Sequence, residues 1–129
     1  MADFNYKQII YAGMVAIAGV DGEVDRQERK WVNKVFDNDF NMTRKEKKEV
    51  MKIWEDAKEE FTGKVITELK EFHPHDKKEA YKRICQFILF RNNEYNKSYK
   101  RREKGIDPEK DQLNRYRERS ERIWKGITS

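Results

Sequence analysis

The stretch Val15-Ala16-Ile17-Ala18-Gly19-Val20-Asp21-Gly22-Glu23-Val24-Asp25-Arg26-Gln27-Glu28 changes character twice. Its opening ends a segment in which Tyr6, Ile9, Ile10, Met14 and Ile17 recur at helical spacing, while Ala12, Ala16 and Ala18 let neighbours approach closely. The spacing predicts a largely buried first helix. From Gly19 to Asp25 the pattern breaks. Asp21-Gly22 has the chemistry of a tight turn, and Asp25 followed three residues later by Glu28 is a capping box that opens a second helix, with Val32, Val35 and Phe36 turned inward.

Working outward, Thr43 and Glu46 repeat the capping box ahead of Val50, Ile53, Trp54, Ala57 and Phe61, with Thr62-Gly63 as the stop. Val65, Ile66, Leu69 and Phe72 predict a short fourth helix. After His73-Pro74-His75, Asp76 with Glu79 predicts the cap of a fifth helix over 76–90 that carries Tyr81, Ile84, Cys85, Phe87, Ile88, Leu89 and Phe90, with Ile84 and Ile88 in the core. A basic insertion at about 91–106 follows. Asp107-Pro108 then opens a last helix at about 108–126, marked by Leu113, Tyr116, Ile123, Trp124 and Ile127. The expectation is an all-α fold, a compact bundle of about six helices, with residues 1–129 forming a single domain.

Composition agrees with that class. Charged residues make up 41% of the chain and hydrophobic ones 36%, but 12% aromatics supply the bulk that disordered chains lack. Cys85 is the only cysteine, which rules out an internal disulfide framework and points to a reducing compartment. The first residues lack a basic leader and the apolar run Met14–Ala18 is too short to span a bilayer, so the expected location is cytoplasmic. No glycine-rich phosphate loop, HExxH helix or nucleophile elbow is present, and the expected protein is not an enzyme. His73 and His75 read as loop histidines, and Cys85 as a small hydrophobe.

The stretch quoted above resembles the TerB-like family, which includes the tellurite-resistance proteins and the opening segment of the DjlA co-chaperone. Asp21, Gly22, Val24 and Glu28 match that family's pattern, and Val20 stands where alanine is usual. The resemblance implies an all-helical fold with an internal pseudo-repeat, and a role in bacterial or phage-borne stress or defence. It also implies a divalent cation held by acids from both halves. The second acidic turn that such a site needs is absent here, where the chain reads Phe90-Arg91-Asn92-Asn93-Glu94. Read as a calcium loop with Gly22 at the sixth position, the stretch places Ile17 and Gly19 at the first and third, where no side-chain oxygen is offered. Two readings of Asp21, Glu23, Asp25 and Glu28 stay open: a weakly bound divalent cation, or a turn and a helix cap that need no ligand. No other cofactor is implied.

The net charge of +5 is unevenly placed, with 17 basic and 17 acidic residues in 1–90 but 12 and 7 in 91–129. Tyr95, Lys97, Tyr99, Lys100, Arg101, Arg102 and Lys104 interleave cations with aromatic rings, a pattern that suits phosphates and stacked bases. It also suits an acidic protein surface or a solvated connection. The functional expectation is a helical interaction module that binds a protein partner, with a small nucleic-acid-binding accessory protein as the alternative and no membrane insertion.

Overall fold

The computed structural model describes residues 4–20, 22–37, 42–98 and 108–128, and these form six α-helices and no strand. They are α1 (Tyr6–Ala18), α2 (Arg26–Asp37), α3 (Arg44–Asp56), α4 (Phe61–Lys70), α5 (Pro74–Ser98) and α6 (Pro108–Thr128). The all-α bundle expected from the sequence is the fold observed.

A capping box starts α1: the Gln8 amide donates to Asn5 Oδ1 (2.8 Å) and the Asn5 amide to Gln8 Oε1 (3.1 Å). Every residue from Gln8 to Ala18 is buried, and α1 packs against all five other helices. Small residues make that possible, since a Cβ at Gly13 would lie 2.6 Å from Ile84 Cγ1 on α5. The helix ends at Gly19, where a Cβ would meet the Trp54 ring of α3 at 2.5 Å from Cζ2. Gly22 then adopts φ +93, a left-handed conformation that carries the turn toward α2.

Three boundaries differ from the sequence-based expectation. Trp54 and Phe61 were expected on one helix, but α3 stops at Asp56 and α4 starts at Phe61 and runs through Thr62-Gly63. On one helix their Cα atoms would stand roughly 10 Å apart along the axis. The break lets the rings meet edge to face at 5.3 Å, with Phe4 against Phe61 at 6.2 Å. Second, α5 begins with Pro74 at its first position, and the His73 carbonyl accepts from the Lys77 amide (2.9 Å), so Asp76 sits inside the first turn and is not the cap.

Third, α5 runs past residue 90 to Ser98, taking up the start of the expected insertion at 91–106. Arg91, Asn92 and Lys97 in this stretch have partners. The Arg91 guanidinium lies over the Trp31 ring at 3.2 Å, Asn92 Oδ1 accepts from Arg117 (2.9 Å), and Lys97 pairs with Glu94 (3.6 Å).

On α6, Leu113, Tyr116, Ser120, Ile123 and Ile127 form a buried row against α1, α4 and α5. The Tyr81 hydroxyl donates to the Ser120 carbonyl (3.0 Å) and Arg119 to Thr62 Oγ1 (2.5 Å), so α6 is tied to α5 and α4 by polar contacts as well. One contiguous apolar core draws side chains from all six helices, Ile84 and Ile88 included. None of the described helices is long and apolar enough to cross a membrane.

Two glycines give opposite expectations. Gly19→Ala drives a methyl into the ring of Trp54, itself held by Phe61, and should cost about 1–3 kcal/mol. Gly63→Ala meets nothing within 4 Å on a helix and should stabilise by up to about 1 kcal/mol. Urea unfolding of the two variants checks both signs.

Candidate functional site

The acidic turn is the first place to look, because it is the most family-like element of the sequence. The Glu28 amide donates to Asp25 Oδ1 (2.8 Å) and the Asp25 amide to Glu28 Oε1 (3.2 Å), so the expected capping box is formed. The second carboxylate oxygen of Glu28 accepts the Tyr116 hydroxyl at 2.8 Å, and Glu28 is only 5% exposed. Gln112 donates to the same Tyr116 oxygen (3.2 Å), and Phe87 packs on the ring at 5.4 Å. Burial pushes the Tyr116 hydroxyl well above the ordinary tyrosine pKa, with the bond to the Glu28 carboxylate acting in the same direction and the bond from Gln112 against it.

Glu28 is therefore turned inward and engaged at both oxygens, while Glu23 and Asp25 are exposed on the outer side of the turn. Asp21, the fourth residue singled out there, lies outside the described residues. Among the described residues no three His, Cys, Asp or Glu side chains come together as metal ligands. Calcium takes 6–8 oxygens, and a turn whose best carboxylate already caps a helix and receives a phenol does not fit that requirement.

Of the basic segment, Tyr95 and Lys97 lie on the last turns of α5, Tyr95 half-buried against the core and Lys97 exposed. Tyr99, Lys100, Arg101, Arg102 and Lys104 lie outside the described residues. His73 and His75 are both exposed, and the His75 amide donates to His73 Nδ1 at 3.4 Å.

A feature the sequence reading missed is the outer face of α5 against α6. Leu89 is 62% exposed and Trp124 is 41% exposed, and together with Tyr81, Cys85 and Gln86 they line an apolar groove of about 600 Å³. Tyr81 stacks at a tilt on Trp124 (5.0 Å), and burial pushes its hydroxyl up to about 12. Burial likewise pushes the Cys85 thiol up, which keeps it protonated and a poor nucleophile. The signal was present: Ile84-Cys85-Gln86-Phe87-Ile88-Leu89-Phe90 carries more apolar residues than one face can bury. Ile84, Phe87 and Ile88 take the core, Tyr81 packs at its edge, and Cys85 and Leu89 follow Tyr81 along the groove, with Leu89 exposed.

The family model described as tellurite resistance protein TerB matches residues 7–87. The chain belongs to the TerB family. No curated protein and no solved structure matches it. The TerB match covers α1 to α4 and the first half of α5, so Tyr116 and all of α6 lie beyond it. The bond from Tyr116 to Glu28 thus joins the acidic turn of the TerB part to the part outside the match.

Two measurements follow. A calcium titration by calorimetry should give a dissociation constant no tighter than about 10⁻⁴ M, and micromolar binding that disappears in Asp21→Asn would contradict this. The raised Tyr116 pKa makes a pH claim with a definite sign. Its contribution to stability is fully present below about pH 10, the ordinary tyrosine value, and is lost as pH rises toward the higher folded value. Thermal unfolding in alkaline buffer should therefore fall less steeply with pH for Tyr116→Phe than for the parent.

Proposed function

We propose that this TerB-family chain is a non-enzymatic helical interaction module, and that it binds a protein partner by taking an amphipathic helix of that partner into the groove between α5 and α6. The observation that carries this reading is that Leu89 and Trp124, which line one groove, are the exposed large hydrophobic side chains among the described residues. Large apolar groups left on a surface mark interaction sites when they are contiguous and rimmed by polar groups.

The groove has the shape of its occupant. Lys78, Tyr81, Lys82, Cys85 and Leu89 recur at three- and four-residue intervals along α5, a row roughly 16 Å long that matches about three turns of a second helix. The charged side chains lining it are Lys78 and Lys82, so the helix that fits carries apolar anchors flanked by carboxylates. A role in stress or defence is consistent with the family. The raised thiol of Cys85 also favours binding over nucleophilic chemistry at this surface.

The test is selection of displayed helical peptides on the parent protein, with counter-selection on Leu89→Asp. Leu89 is exposed, so this substitution should leave stability within about 0.5 kcal/mol. Enriched peptides should carry apolar residues at i, i+3 or i+4, and i+7 with flanking Asp or Glu, and should bind Leu89→Asp at least about tenfold more weakly, as expected for an anchor residue. Enrichment of basic helices, affinity indifferent to Leu89→Asp, or a stable dimer of the chain seated on this face would contradict the reading.

A further inference from the structure

A second concavity lies on another face, between α2 and α3, and its chemistry is the reverse of the groove's. It holds about 580 Å³, within the range of small-molecule sites. Five cations line it: Arg29 from α2, and Arg44, Lys47, Lys48 and Lys52 from α3. The one carboxylate among its lining residues, Glu55, is already paired with Arg29 at 3.5 Å. Between these charges, Tyr11, Met42 and Met51 give an apolar floor, and the Tyr11 hydroxyl donates to Asn33 Oδ1 (3.0 Å).

The sequence of α3 does not look like a cationic surface, because Glu46 and Glu49 alternate with its lysines. The fold engages both acids with partners of their own. Glu46 accepts from Asn5 Nδ2 (2.9 Å) and Glu49 from Gln8 Nε2 (3.0 Å), so both acids are drawn toward the start of α1. Arg44, Lys48 and Lys52 are left in a row at four-residue spacing, exposed and without a carboxylate within ion-pair distance among the described residues. Like charges at that spacing repel along a helix, and a bound polyanion relieves the repulsion.

The geometry points to a binding site for a polyphosphorylated small molecule in the cleft between α2 and α3, its phosphates taken by Lys48, Lys52 and Arg44 on one wall and Arg29 on the other. Several cations converge from two walls on a space of small-molecule size, which favours a compact anion of high charge over an extended strand. This site is independent of the α5–α6 groove. Either proposal can fail without the other.

The experiment uses the full chain with inorganic tripolyphosphate as probe, read by calorimetry at low salt and by thermal shift. Tripolyphosphate should bind more tightly than orthophosphate and raise the melting temperature, and both effects should weaken with added salt. The pair Lys48→Ala/Lys52→Ala should lose at least about tenfold in affinity, the loss expected when charge-assisted contacts to phosphate are removed. Arg29→Gln on the opposite wall should also weaken binding. Lys78→Ala/Lys82→Ala, with the same change in net charge on another face, should change it less than about threefold. The altered side chains are on the surface, and melting curves of each variant without ligand confirm that it folds. Absence of binding to the parent, or equal weakening by the two lysine pairs, overturns the site. So does affinity for a single-stranded oligonucleotide that exceeds that for tripolyphosphate and grows with strand length.

Discussion

The structure depends on the burial of α1 from Gln8 to its end. A helix whose residues from Gln8 to Ala18 are all removed from solvent has to be covered on every side, and here the five other helices do so. Burial of that many apolar groups is the dominant favourable term in a chain that is otherwise 41% charged. It is possible because Ala12, Gly13, Ala16 and Ala18 let the covering helices come close, and it fixes where the polar residues of those helices must point. The buried polar groups at the start of α1 find partners on α3 and α4. Gln8 donates to the Glu46 carbonyl and to Glu49, and Glu68 accepts the Phe4 amide while pairing with Lys64.

That requirement gives a reason for the part of the chain beyond the TerB match. The α6 row of Leu113, Tyr116, Ile123 and Ile127 closes the core against α1, α4 and α5, and Tyr116 reaches across to Glu28 at the start of α2. A buried carboxylate without a donor is costly, and a buried phenol without an acceptor is nearly as bad. Each satisfies the other. Glu28 of the acidic turn is thereby engaged at both carboxylate oxygens, one in the cap of α2 and the other with α6.

Much of the fold was legible because its signals are local. The boxes at Asp25 with Glu28 and Thr43 with Glu46 are formed as their spacing indicates, and the apolar rows of α1 and α6 face the core. The misplaced boundaries come from signals that compete at short range. Trp54, Ala57 and Phe61 stay in helical register across a break that only ring packing requires, and Asp76 with Glu79 imitates a cap that Pro74 makes unnecessary. The Asn5 and Gln8 box was readable and went unused. The functional surfaces were harder because they depend on direction. A count of charges over residues 1–90 comes out neutral and conceals that Glu46 and Glu49 are engaged by Asn5 and Gln8, and the contact between Glu28 and Tyr116 spans 88 residues with no local trace.

The bond between Tyr116 and Glu28 ties α6 to the start of α2, beside the contacts α6 makes with α4 and α5. A double-mutant cycle of Glu28→Gln and Tyr116→Phe, followed by denaturant unfolding, measures that bond with the least interference from the cap, since glutamine keeps an oxygen for the Asp25 amide. The single-variant losses should fail to add, with a coupling of at least about 1 kcal/mol, as expected for a buried hydrogen bond to a charged group. Losses that add to within about 0.3 kcal/mol would contradict it.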